Sequence, residues 1–191
     1  MTILSSLSRI VALVEIAVAA LLTVATTGLI LLNIVTRTSG NALYWVDEAA
    51  ISTMVWASFL GASAAIERRS AVAVTLLPDA MPERWRYRLR LWSDFLVLVF
   101  FAILMWLCFL WFDPLTLYRA DFSLSDFTSE TFNFIYQETT TTLGVPKFWL
   151  WGVMPVFAVF GTLHALARLL ERGLASQEAP EPEADHTETL R

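Results

Sequence analysis

Two carboxylates and one histidine lie in or beside long apolar runs of this chain, where a polar group could support chemistry. An ionisable group at membrane depth is costly, so it either serves a proton or ion path or is held by a partner. Glu15 and Asp94 both fall about a turn inside the ends of their runs, on the side where arginines collect. That placement favours ion pairing with Arg9, Arg68, Arg69 or Arg90 over a relay. No carboxylate falls near the middle of any run, which argues against the chain moving protons or ions by itself. His164 is the one histidine in an apolar run, and His186 lies near the C-terminus. A haem held by two axial imidazoles would need a second buried histidine, so His164 reads as a hydrogen-bonding group between helices or near the inner interface. Cys108, the single cysteine, excludes an internal disulfide and reads as a small hydrophobe. Thr23, Thr26 and Thr27 are the one cluster a pore lining could use, but Thr in a membrane helix usually bonds its own backbone or a neighbour. Metal-ligand spacing, a nucleophile elbow, a phosphate loop and a glycosylation sequon are all missing. No enzyme activity, cofactor, metal or nucleic-acid partner is expected.

The elements that must position these residues follow from composition. Hydrophobic types make up 57% of the 191 residues and charged types 16%, against roughly 25% charged in a soluble domain. One water-soluble core could not hide so much apolar surface. A membrane-crossing helix needs about 20 mostly apolar residues, and four charge-free stretches qualify or nearly so: Ile16–Thr36, Ala49–Ile66, Phe95–Phe112 and Phe148–Ala167. With their flanks they predict spans of about 10–36, 46–66, 92–112 and 147–169 in a membrane domain covering 1–170. The first is too long for the apolar region of a cleaved signal peptide. Pro146 fits the first turn of the last helix, and Pro155 should kink it. Six of the eighteen acids lie in the last 21 residues, so 171–191 reads as a disordered acidic tail.

Orientation follows from the cations. Arg9, the connection carrying Arg68, Arg69, Arg84, Arg86, Arg88 and Arg90, and the flank carrying Arg168, Arg172 and Arg191 hold ten of the thirteen. Lys and Arg accumulate in cytoplasmic loops, so both termini are expected inside. Trp45, Trp111, Trp149 and Trp151 fall at outer ends and Trp92 at an inner end, where amphipathic rings prefer the headgroup level. Between the second and third spans, Trp85, Leu89 and Trp92 recur at helical spacing among arginines. This predicts a basic amphipathic helical segment that sets topology or meets anionic lipid headgroups. The outer connection Asp113–Pro146 is long, acidic and aromatic, and is expected to pack on a partner or lie on the outer membrane surface. Asp47 and Glu48 open the second helix, where they could meet its dipole or pair with Arg37. Ala57, Gly61 and Ala65 are spaced for close helix approach in lipid.

From Trp45 to Pro82 the chain resembles the small membrane subunit (DctQ-like) of tripartite ATP-independent periplasmic (TRAP) transporters. The resemblance runs through Trp45, Asp47 and Glu48, then Trp56, Phe59, Leu60, Gly61, Ala62 and Ala65, the basic turn Arg68–Arg69, and Val72, Val74, Leu76, Leu77, Asp79 and Met81–Pro82. Arg37 and the Gly144–Trp149 motif extend it more loosely. Ala71 and Thr75 stand where the family often carries His and Asp, Glu67 replaces the first basic residue, and Met-Pro replaces Leu-Pro. The resemblance implies a bacterial inner-membrane scaffold for a large permease subunit. That subunit would carry the substrate and coupling sodium ions, and a periplasmic protein would deliver an organic acid. Trp45, Asp47, Glu48, Trp56, Phe59, Gly61 and Ala65 are the candidate partner interface. The alternatives are a membrane anchor of a respiratory enzyme and a small independent channel.

Overall fold

A computed structural model describes residues 3–68 and 82–177. Arg69, Ala71, Thr75 and the rest of 69–81 lie outside the described residues, as do 178–191, including Arg191, and the side chain of Arg84. Four helices are long and apolar enough to cross a membrane. They are α1 (Ile3–Thr38), α2 (Trp45–Arg68), α3 (Glu83–Phe112) and the pair α6 (Phe148–Trp151) and α7 (Val153–Gln177). Between α3 and α6 lie two short helices, α4 (Pro114–Arg119) and α5 (Leu124–Thr131). The described residues contain no strand beyond an isolated bridge between Thr139 and Pro146. α1 starts and α7 ends at one end of the bundle, the terminal end. The connections 39–44 and 113–147 form the opposite, loop end.

Each boundary has a local cause. Gly40 takes a positive φ of 76°, and Asn41 N–H bonds back to the Thr36 carbonyl at 3.0 Å, closing α1. Asp113 ends α3 in a left-handed conformation, and its side chain accepts from Thr116 N–H at 3.2 Å to cap α4, where Pro114 occupies the first turn. The basic lead-in is helical from Glu83 and continuous with the third span. The bend expected from Pro155 appears as a break at Gly152 between α6 and α7. Proline has no N–H for the Trp151 carbonyl and crowds it, so the discontinuity falls just upstream of the ring. Pro146 sits in the Thr139 bridge, just before the helix rather than in its first turn. α7 also runs seven residues past the expected boundary at 170, so 171–177 are helical.

α1 and α2 form one antiparallel hairpin and α3 and α7 another, and α7 also packs against α1 and α2. The centre is aromatic. Phe157 on α7 meets Phe59 of α2 at 5.1 Å and Phe101 of α3 at 5.0 Å, both edge to face. Phe101 lies over Gly161, where an added Cβ would come within 2.1 Å of its ring. Ala158 and Ala165 are buried on the same helix. The close-approach seam inside this chain is therefore on α7. Gly61 of α2 has open space where a Cβ would stand. Outward, Leu21, Val24, Leu31 and Ile34 of α1 and Leu96, Phe100, Ile103 and Leu107 of α3 are exposed, as lipid-facing or partner-facing helices require.

Gly161→Ala is expected to destabilise the bundle by about 1–3 kcal/mol through overpacking. A lower thermal midpoint in detergent, largely restored by adding Phe101→Leu, would confirm it. An unchanged midpoint would mean that α3 and α7 are not packed this way.

Candidate functional site

At the terminal end the polar residues of three helices converge. Ser8 and Glu15 lie two turns apart on one face of α1, and His164 of α7 sits between them. Ser8 Oγ is 2.7 Å from His164 Nδ1, and Glu15 Oε2 is 2.9 Å from Nε2. All three side chains are buried. One and two turns further along α7, Arg168 and Arg172 flank Asp94 of α3. Arg168 Nη2 is 3.0 Å from one carboxylate oxygen and Arg172 Nε 2.8 Å from the other. Arg168 also donates from Nη1 to the Ile66 carbonyl on α2 at 3.0 Å. His164, Arg168 and Arg172 thus form one stripe on α7 that ties it to α1, α2 and α3.

The expected partners of the two carboxylates are corrected by this geometry. Glu15 meets His164, and Asp94 meets Arg168 and Arg172. Of the arginines expected to pair with them, Arg69 lies outside the described residues. Antiparallel packing of α3 on α7 brings Asp94 level with Arg168, just as it brings Phe101 level with Gly161 and Trp111 level with Trp151. The four-residue spacing of His164, Arg168 and Arg172 was the available signal. With both ring nitrogens engaged, His164 has no lone pair left for an axial haem bond. The threonines are engaged too. Thr23 and Thr27 bond their own backbone, and Thr26 bonds both the Leu22 carbonyl and Thr53 of α2.

A second cluster closes the loop end. Asp47 accepts hydrogen bonds from the Asn33 amide and the Arg37 guanidinium, and Arg37 Nε also donates to Asn33 Oδ1 at 2.8 Å. Glu48 accepts from the backbone N–H groups of Thr141, Thr142 and Leu143 at 3.0, 2.8 and 3.0 Å, and from the Thr142 hydroxyl at 2.6 Å. Both acids therefore bind groups from other parts of the chain: Asp47 staples α1 to α2, and Glu48 holds the 139–146 turn. Sequence reasoning offered Arg37 as a partner, but the turn that wraps Glu48 was not legible.

The outer connection is packed. Phe127 is fully buried against Tyr136, whose ring also meets Phe112 and Phe148. The Tyr136 hydroxyl donates to the Phe112 carbonyl at 2.6 Å. Burial, with the nearby Asp113 carboxylate, pushes that phenol above its ordinary value and keeps it a donor. Tyr118, Phe122, Phe132 and Phe134 point outward and are exposed.

Of the candidate interface residues, Trp45 is exposed, while Trp56, Phe59, Gly61 and Ala65 are half-buried. Part of the cover on Phe59 comes from Phe157 of this chain. In the basic segment, Arg88 lies over the Trp85 ring at 5.7 Å. A cavity of about 560 Å³ opens between α3 and α7 near Trp92, Phe95, Leu170 and Leu174, and its lining is apolar. Among the described residues no group of His, Cys, Asp and Glu could hold a metal ion.

Long apolar helices whose polar residues join one helix to another define a multi-span membrane subunit. Residues 26–173 match the family model of the tripartite ATP-independent periplasmic transporters, DctQ component. The chain belongs to this family, a family of transporter components and not of enzymes, and is a TRAP small permease subunit. None of the curated proteins compared with it matches.

Removing Asp94 would take away the carboxylate that Arg168 and Arg172 of α7 share. Asp94→Ala is expected to cost on the order of 3 kcal/mol, and a double-mutant cycle with Arg168 should show clear coupling in thermal unfolding. Additive effects would dissolve the pair. Glu48→Ala should speed hydrogen exchange at Thr141, Thr142 and Leu143 while leaving the α3 amides unchanged. Equal exchange rates would show that Glu48 does not hold the turn.

Proposed function

We propose that this subunit scaffolds and anchors the large substrate-translocating subunit of a TRAP transporter in the bacterial inner membrane, with both termini cytoplasmic. The large subunit carries the coupling sodium ions and moves an organic acid delivered by a periplasmic binding protein. This reading rests on the family match over 26–173. Two features support it. Secondary transporters build midplane sites from internal repeats and interrupted helices, whereas the ionisable side chains buried here are paired near the terminal end. On α2, the surface containing Trp45, Trp56, Gly61 and Ala65 is exposed or half-covered, and Gly61 offers a neighbouring helix a close approach. Asp47 and Glu48 contribute by shaping this edge from within. Arg68, Arg69, Arg84, Arg86, Arg88 and Arg90 fix the orientation and meet anionic headgroups on the cytoplasmic side.

Co-purification tests the assignment. The tagged chain, extracted gently from its native membrane, should bring a many-span permease at about equal abundance by mass spectrometry. Recovery alone or as a homo-oligomer would remove the scaffold reading. Orientation is tested with membrane-impermeant maleimide on intact cells. Ser39→Cys should label from outside, and Arg88→Cys only after lysis. The reverse pattern would invert the topology.

A further inference from the structure

Among the buried side-chain atoms at the terminal end that make no hydrogen bond, two lie outside the Asp94–Arg168–Arg172 cluster. Glu15 Oε1 and Ser63 Oγ make no hydrogen bond, although Glu15 is 2% exposed and Ser63 fully buried. An unsatisfied buried hydroxyl or carboxylate oxygen is costly, and a membrane offers no solvent to relieve it. The two atoms belong to facing helices. Thr26 bonds Thr53, and Asn33 bonds Asp47. In that antiparallel register, Glu15 of α1 is level with Ala64 and Ala65 of α2, and Ser63 is within about 3 Å of that level along the axis. The buried neighbours at this level are small: Ala12 on α1, Ala64 on α2 and Ala165 on α7.

We propose that a single structural water occupies this place, donating to Glu15 Oε1 and bonding Ser63 Oγ. A water needs two to four polar partners and about one probe sphere of space. One tautomer of His164 satisfies both of its bonds, with Nε2–H donating to Glu15 Oε2 and Nδ1 accepting from the Ser8 hydroxyl. Two polar atoms suit a water, whereas hard cations gather about six or more oxygen ligands. The water instead completes a polar joint in which α1, α2 and α7 each supply a buried side chain. This site is independent of the scaffold reading.

Hydroxyl-radical footprinting in ¹⁸O-labelled water, on the full chain extracted with whatever partners it holds, tests the proposal. Radicals formed from an ordered internal water modify the side chains beside it. His164 and Phe101 are both nearly inaccessible, at 0% and 3%, but only His164 adjoins the proposed site. Label is expected at His164 or Glu15 and not at Phe101. Protection of His164 and Glu15 equal to that of Phe101 would overturn the proposal. Ser63→Ala provides a second measurement by its sign. Loss of a water partner lowers the thermal midpoint, whereas loss of a dry, unsatisfied hydroxyl leaves it unchanged or raises it and contradicts the proposal. If Ser63→Ala does not fold, the footprint of the unmodified chain stands alone. Replacing sodium with choline at constant ionic strength should shift the native chain and Ser63→Ala equally. A sodium-dependent rise in midpoint that Ser63→Ala abolishes would put a cation in the site and overturn the assignment of water.

Discussion

A carboxylate between apolar helices must find its counter-charge and hydrogen-bond donors within the protein, because lipid supplies none. Glu15 on α1 and Asp94 on α3 face this requirement, and both are met by α7. A partner removed from such a pair leaves a buried charge, which costs far more than the pair contributes while intact. The pairs therefore act as specificity devices: they fix which turn of α7 faces which helix. A slip of one turn along α7 would carry His164 about 5 Å from its position between Ser8 and Glu15, and would separate Asp94 from its arginines at the same time.

The rest of α7 is consistent with that registration. Once Asp94 is level with Arg168, Phe101 comes to lie over Gly161, the position in α7 that tolerates a ring at backbone distance. Further along, Trp111 meets Trp151 at 5.5 Å. Charge pairing, ring-over-glycine packing and the aromatic contact at the loop end all specify one antiparallel alignment. At the far end of α2, Glu48 fixes the turn that leads into α6 and α7, so the last helix is positioned from both ends.

Much of this was legible in the sequence. Helix existence follows from charge-free stretches of membrane length, and the interruption of the last span from Pro155. The two carboxylates stood out because ionisable residues are rare in such runs. Their partners did not, because a cation excess on one side identifies a side of the membrane without saying which helix neighbours which. Arg168 and Arg172 looked like flanking topology signals until α7 was seen to extend to Gln177 beside α3, while His164, read as a hydrogen-bonding group between helices or near the inner interface, lacked only the names of its partners. Likewise, Glu48 was read from its own helix terminus, whereas its donors lie more than ninety residues away. Local periodicity identifies elements, but the contacts that join them depend on a register that no single helix encodes.

The distribution of polar groups along α1 favours pairing over conduction as the role proposed for them. The buried side chains of α1 are Ser5, Ser8, Ala12, Glu15 and Thr26. Between Glu15 and Thr26 the helix rises about 16 Å with no buried polar group. On the neighbouring helices, Ser58 and Thr162 bond their own backbone carbonyls instead of facing a path. A proton or ion reaching Glu15 from the terminal end would meet an apolar segment about half the thickness of the hydrocarbon core. The polar joint at the terminal end and the Asn33–Arg37–Asp47 staple at the loop end are thus separate fasteners on a bundle with an apolar middle. Polar contacts at both ends with an apolar middle suit the scaffold role proposed for this subunit.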